Sequence, residues 1–284
     1  MTHPVVTIIA QGAMGAAVGR CLVDHGARVL TSLAGRSRAS AARAKEARME
    51  PVSDEQAVTA DYFLSIVPPG EALAVARRFA PHLERTNRKP IFVDCNAVNP
   101  RTAAEVAAVI DGTGTPFVDA GIIGAPPREG CAGPTFYASG REATRFAELS
   151  RYGLDIRVVD ERIGTASAIK MSYAGITKGF TALGALMMLA ATRAGVAEAL
   201  HRELSRSQPQ LLAWLTRQVP GMYSKAYRWV AEMEEIAAFA GEDPCARQTF
   251  EANAKLYERL AADFASSQEE TRALMAFLAG GGGK

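Results

Sequence analysis

The chain has 284 residues, 48% of them hydrophobic and 22% charged, with a formal net charge of +2. That length suffices for two domains with full cores, and the scattered Lys and Arg residues give no basic face for nucleic acid. Cys21, Cys95, Cys131 and Cys245 stand too far apart for a zinc site or a disulfide framework, and His3, His25, His82 and His201 form no ligand cluster.

Residues 5–10 are a β-branched run that predicts a strand. Gln11-Gly12-Ala13-Met14-Gly15 follows as a glycine turn, then Val18, Leu22 and Val23 at helical spacing, then a second strand at residues 27–31. Strand, glycine turn, helix, strand is the context in which a helix N-terminus holds a dinucleotide pyrophosphate. Gly12 would let the backbone approach the phosphates, and Gly15 would let the helix pack closely on the strand. The G-x-G-x-x-G pattern is incomplete, with Ala10 at its first position. The other reading of the same residues is a purely structural bend.

Residues 37–48 have helical composition. The apolar run 62–67 predicts a buried strand, ended by Pro68-Pro69-Gly70, with a helix at 71–83. A strand at 91–94 leads into Cys95-Asn96 and a helix at 101–110; strands at 115–123 and 135–139, a helix at 141–152 and a strand at 155–159 follow. Such alternation argues for a mostly parallel sheet covered by helices on both faces. From Thr165 onward no strand is evident. Residues 168–194 read as one long helix with Gly175, Gly179 and Gly184 inside it. Each glycine costs about 1 kcal/mol relative to Ala in a helix, which points to close helix packing there. Further helices are expected at 196–205, 208–219, 222–240, 245–266 and 268–279.

The expected fold is an α/β Rossmann-type domain at residues 1–163, with a mostly parallel doubly wound sheet. An all-α C-terminal domain at 164–279 is joined to it by the long helix, and a disordered tail occupies 280–284. The longest apolar run, 182–191, is about ten residues, too short for a bilayer, and the chain opens straight into a strand. The expectation is a cytoplasmic protein with reduced thiols and neither a membrane nor a nucleic-acid partner.

An NAD site has Asp or Glu about 20 residues past the glycine turn, on the ribose 2′-OH. Here that region reads Thr31-Ser32-Leu33-Ala34-Gly35-Arg36-Ser37-Arg38, without a carboxylate. A guanidinium and a hydroxyl at Arg36 and Ser37 suit a 2′-phosphate, so NADP is expected over NAD. The plainer alternative is a solvated Arg at a helix start. At the start of the long helix, Lys170 lies among Ala168, Ile169, Met171 and Ala174. Apolar surroundings favour the neutral amine and make it usable as a general base. Lys178 is a rival, and both lysines could equally be snorkelling surface residues.

The segment 164–179 resembles the lysine helix of the 6-phosphogluconate dehydrogenases and related β-hydroxyacid dehydrogenases. Gly12-Ala13-Met14-Gly15 resembles their glycine turn less its first glycine, and Gly35-Arg36-Ser37 their Asn-Arg-Thr turn. Val93-Asp94-Cys95-Asn96 is similar to the strand that ends before the nicotinamide, and residues 119–125 together with 130–135 to their substrate loop. The resemblance implies an NADP-dependent oxidoreductase acting on a hydroxyl–carbonyl pair of a hydroxyacid-like substrate. It implies Lys170 as the proton carrier and cofactor contacts from Gly12, Ala13, Met14, Arg36, Ser37, Val67, Pro68 and Asn96. Ile123, Gly124 and Tyr173 would face the substrate, with Tyr173 either lending its hydroxyl or packing as an aromatic. It also implies a homodimer with the active-site cleft between the domains. The family pattern is broken at Ala174 (an Asn), Thr177 (a Glu), Ile123 (a Ser), Ala125 (a Gly) and Glu234-Glu235 (a Lys-Asp pair). These departures argue against 6-phosphogluconate and for a less polar substrate. Imine reductases share the architecture and give a second enzyme reading; a non-catalytic NADPH-binding protein gives a third.

Overall fold

A computed structural model describes residues 3–128 and 133–280. The expected disordered tail lies, from Gly281 on, outside the described residues, as do Gly130, Cys131 and Ala132 of the expected substrate segment. The chain divides into two compact units that part within one helix, between Met171 and Ser172.

The first unit is built on one eight-stranded sheet, in the order β3-β2-β1-β4-β5-β6-β7-β8. Chain order runs β1 (Val5–Ile9), α1 (Ala13–Asp24), β2 (Arg28–Ser32), α2 (Arg38–Glu46), β3 (Glu50–Val52), α3 (Asp54–Ala57), β4 (Tyr62–Ser65) and α4 (Ala72–Arg85). Next come β5 (Ile91–Asp94), α5 (Pro100–Asp111), β6 (Phe117–Ile123), β7 (Thr135–Ser139), α6 (Ala143–Phe146) and β8 (Asp155–Val158). Neighbouring strands are parallel except β6 and β7, where Gly121 pairs with Tyr137. β1 lies between β2 and β4, with Thr7 opposite Leu30 on one side and Phe63 on the other. Strand order reverses direction at β1, which opens a crevice beyond the carboxyl ends of β1 and β4.

Alternation along the strands sends side chains to opposite faces. Val6, Ile8, Leu64 and Val93 join one core with Val18 and Leu22 of α1. Ile9, Phe63 and Phe92 join the other with Phe79 of α4. In that second core the Phe63 and Phe92 rings stack at 5.0 Å, with Phe79 edge-on to Phe63 at 4.7 Å.

Two elements depart from expectation. β3 and α3 were not foreseen. β3 is three residues long with Pro51 at its centre, an edge-strand composition that carries no periodicity, and α3 is a single turn closed by a Ser53–Gln56 capping box. The helix expected at 141–152 is the short α6 followed by a 3₁₀ helix, Ala147–Tyr152, that ends on Gly153 with φ of +89°.

The second unit is helical. It contains most of α7 (Thr165–Arg193), then α8 (Ala197–Ser207), α9 (Pro209–Met222), α10 (Ala226–Phe239), α11 (Pro244–Phe264) and α12 (Glu269–Leu278). Close packing explains two of the three α7 glycines. A Cβ on Gly175 would lie 3.2 Å from the Phe250 ring, and one on Gly184 would run into Leu215. Counting an uninterrupted run understated α7. By length and composition the helix is apolar enough to cross a membrane, although nearly half of its most apolar stretch is buried within the protein.

Candidate functional site

The glycine turn joins β1 to α1. Gly12 is the N-cap of α1 and supplies no side-chain cap, so the first-turn N–H groups keep no side-chain partner. A Cβ on Gly12 would meet nothing within 4 Å, and its φ of −71° suits any residue. Neither packing nor backbone conformation within the chain demands a glycine there. Gly15 is different: a Cβ on it would strike the Ala10 carbonyl, so α1 can lie this close to β1 only with glycine at that position. Ala13 is exposed, and Met14 leans half-buried on the core beneath the sheet. Buried Gln11 donates from its amide to Thr31 and, at 3.0 Å, to the Ser32 carbonyl. Its own carbonyl accepts from Arg43 Nε at 2.7 Å.

At the end of β2, Gly35 takes a φ of +72° and turns the chain into α2. Ser37 caps α2 by accepting from the Ser40 N–H at 3.2 Å. Arg36 lies half-buried beside it, its Nε buried and without a hydrogen-bond partner among the described residues. At the start of α3, Asp54 accepts from the Ser32 hydroxyl at 2.6 Å and from Nε and Nη2 of Arg78 at 2.8 and 2.7 Å. Burial resists its ionisation, but the Arg78 and Ser32 hydrogen bonds outweigh that and hold the carboxyl below its ordinary range.

The carboxyl ends of β4 and β5 are tied by Asn96. Its Oδ1 accepts from the Val67 N–H at 2.7 Å, and its Nδ2 donates to Ser65 at 3.0 Å and to Asp94. The amide expected near a nicotinamide is thus engaged inside the chain, where it fixes the Val67 backbone; Pro68, next along, is exposed. Burial, followed by the charges of Asp94 and Asp119, pushes the Cys95 thiol well up, so it is no nucleophile.

Lys170 is set by a pedestal that pattern reading did not find. Asp119, buried in β6, accepts from the Gly164 and Ser167 N–H groups, both at 3.0 Å, and from the Ser167 hydroxyl at 2.7 Å. Ser139 of β7 donates to the same carboxylate at 3.2 Å and accepts from the Ala166 N–H at 3.1 Å. A carboxylate therefore caps the positive end of α7 and satisfies its orphan donors. Burial raises the Asp119 pKa, and the hydrogen bonds from Ser167, Ser139 and Gly164 oppose that shift. Gly164 enters the helix with φ of +96°. Gly121 lets α7 lie directly on β6: a Cβ there would be 2.9 Å from both the Ala166 carbonyl and Lys170 Cβ. One turn past the cap, Lys170 is half-buried and makes no hydrogen bond or ion pair among the described residues. The available signal was an acid inside an apolar strand, followed two residues later by a glycine.

Ile123 ends β6 half-buried. Gly124 follows with φ of +129° against Pro134. Tyr173, one turn beyond Lys170 along α7, is half exposed. The rival Lys178 is committed within the second unit. It pairs with Glu232, sits 4.9 Å from the Trp229 ring centre, and its carbonyl accepts from Tyr257 at 2.6 Å.

Residues 5–151 match the family model described as the NAD binding domain of 6-phosphogluconate dehydrogenase, and residues 191–260 match a domain of unknown function (DUF1932). A solved conserved protein of unknown function, reported as structurally similar to 3-hydroxyacid dehydrogenases, is 30% identical. It superposes with a TM-score of 0.70 over 95% of this chain and 99% of its own. The Mycobacterium tuberculosis 3-hydroxyisobutyrate dehydrogenase, solved with L-serine, shares the fold at 18% identity and a TM-score of 0.73, covering 97% and 99% of the two chains. An imine reductase from Myxococcus stipitatus, solved with NADP+, shares it at 19% identity and 0.60 over 97% and 100%; a variant of it has been solved with NAD+.

Proposed function

Because the chain belongs to the 6-phosphogluconate and β-hydroxyacid dehydrogenase superfamily and is an NAD(P)-dependent, hydroxyacid-dehydrogenase-like oxidoreductase, we propose that it uses NADP to interconvert a hydroxyl and a carbonyl on a small hydroxyacid-like substrate other than 6-phosphogluconate. Lys170 is its general acid and base. The observation that carries this reading is a lysine without a carboxylate partner among the described residues, held against β6 by the Asp119 cap and Gly121.

The residues present fit a dinucleotide. Gly12 has an open side that packing does not explain, and the unpartnered Nε of Arg36 is a donor waiting for an acceptor. Hydride transfer to or from the substrate carbon is the chemistry the nicotinamide supplies when bound. Lys170 takes the hydroxyl proton during oxidation and returns it to the carbonyl oxygen during reduction. Asn96 holds the Val67 backbone at the end of β4, so that edge of the site is rigid. Ile123 puts apolar surface where the family pattern has a hydroxyl, which favours a less polar substrate. The working unit in this reading is a homodimer.

The test is turnover across a panel of small 3-hydroxyacids with NADP+ or NAD+ and of cyclic imines with NADPH. The expected result is oxidation of hydroxyacids, with kcat/KM at least ~10-fold higher for NADP+, about 1.4 kcal/mol of transition-state discrimination. Reduction of imines alone favours the second reading, C=N reduction, which the shared fold of the imine reductases supports and the retained lysine opposes. NADPH binding without turnover of any compound favours a non-catalytic binding protein.

A further inference from the structure

Among the described residues, Arg36 just before α2, Arg38 in its first turn and Arg43 in its last have no carboxylate partner, and the first turn of that helix holds no acid. Arg43 stands apart from the other two. Its Nε donates to the Gln11 carbonyl in the glycine turn at 2.7 Å, and its Nη2 donates to the Ser40 hydroxyl at 3.1 Å. Ser40 Oγ in turn accepts from the Ser37 hydroxyl at 3.2 Å. Ser40 and Arg43 share a helix face at i, i+3. One guanidinium thus bridges the turn before α1 and the hydroxyls that open α2. In a strand–helix–strand unit these are the places for the pyrophosphate and for the 2′ position of the adenosine ribose. Arg43 Nη1 and one Nη2 hydrogen are left to donate.

We infer that Arg43 determines the preference for a 2′-phosphorylated dinucleotide, reading the phosphate with its free donors while its bond to Gln11 keeps the glycine turn in register with α2. The inference rests on the NADP reading above. Arg36 brings a buried donor from the loop side and Arg43 a fork from the helix side, so that two cations flank the Ser37 and Ser40 hydroxyls. A Lys at position 43 would keep the charge. Its single nitrogen could not hold Gln11 and Ser40 in the planar geometry of a guanidinium and still meet a phosphate.

Isothermal titration of the full-length protein with 2′,5′-ADP and with ADP tests this without a known substrate. Wild-type protein is expected to bind 2′,5′-ADP at least ~10-fold more tightly, as one charge-assisted hydrogen bond would give. In Arg43→Ala that ratio falls at least ~5-fold, chiefly through weaker 2′,5′-ADP binding, and Arg43→Lys lies between the two. A ratio unchanged in Arg43→Ala, or equal losses for both ligands, makes Arg43 a structural brace and overturns the inference alone. A wild-type ratio near one overturns the NADP reading with it. Thermal melts of both variants check that each is folded, and Arg43→Lys carries the test if Arg43→Ala is not.

Discussion

Asp54 is half-buried and Asp119 buried; both accept several hydrogen bonds, and their pKa values are shifted to opposite sides of the ordinary range. For Asp54, the Arg78 fork and Ser32 overcome the cost of burial; for Asp119, burial dominates and the donors are backbone N–H groups and hydroxyls. A carboxyl held below its ordinary value stabilises the fold above that value, and the contribution disappears as pH falls through the folded-state pKa. Asp54→Asn is therefore expected to cost about 1–2 kcal/mol at pH 7, since it leaves the half-buried Arg78 without its charge partner. That cost should shrink as pH falls below the ordinary value of 3.8 toward the lower folded-state pKa, where wild type loses the same term. Urea unfolding of both proteins at pH 7 and pH 3 measures the gap, and an equal gap at both pH values refutes the account.

Among the elements, α7 carries the most. Its first turn is capped by Asp119, its second bears Lys170, and further on its glycines meet Phe250 and Leu215. It also presents Tyr173, Ile176, Phe180, Leu183 and Met187, each at least half exposed. The spacing of 3, 4, 3 and 4 residues is an unbroken coiled-coil seam. The exposed surface of these five side chains is on the order of 600 Å², against about 800 Å² per partner in a standard stable interface. In the homodimer proposed above, a second copy of the chain presenting the same self-complementary stripe across a two-fold axis would cover it. Light scattering at micromolar concentration is expected to give twice the chain mass for wild type and the chain mass for the Ile176→Glu, Leu183→Glu double variant. A wild-type monomer contradicts the homodimer. Elements of this kind were visible in the sequence because apolar residues recur at helical or strand periods. β3 was not, because three residues around Pro51 have no period, and α3 was not, because a single capped turn is too short to read.

At the scale of the whole molecule, the change from strand–helix alternation to continuous helix after Thr165 carried the two-part architecture, and the strand–glycine turn–helix opening carried the dinucleotide-binding class. The pedestal under Lys170 was invisible in the sequence because Asp119, Ser139 and Ser167 lie 20 to 48 positions apart and meet only when β6, β7 and α7 come together. Gly121 was quoted as part of a loop, yet it works as a contact surface for α7. Asn96 was singled out as a cofactor contact, yet its amide is engaged in joining β4 to β5. Long-range partners of this kind leave no local period. The central claim is that Lys170 moves the proton while the rest of the site binds and orients. The most direct test compares wild type with Lys170→Ala, using saturating NADPH and a carbonyl substrate from the panel, with NADPH affinity measured separately by fluorescence. The account predicts a turnover loss of at least ~100-fold with NADPH affinity unchanged; undiminished turnover in Lys170→Ala would contradict it.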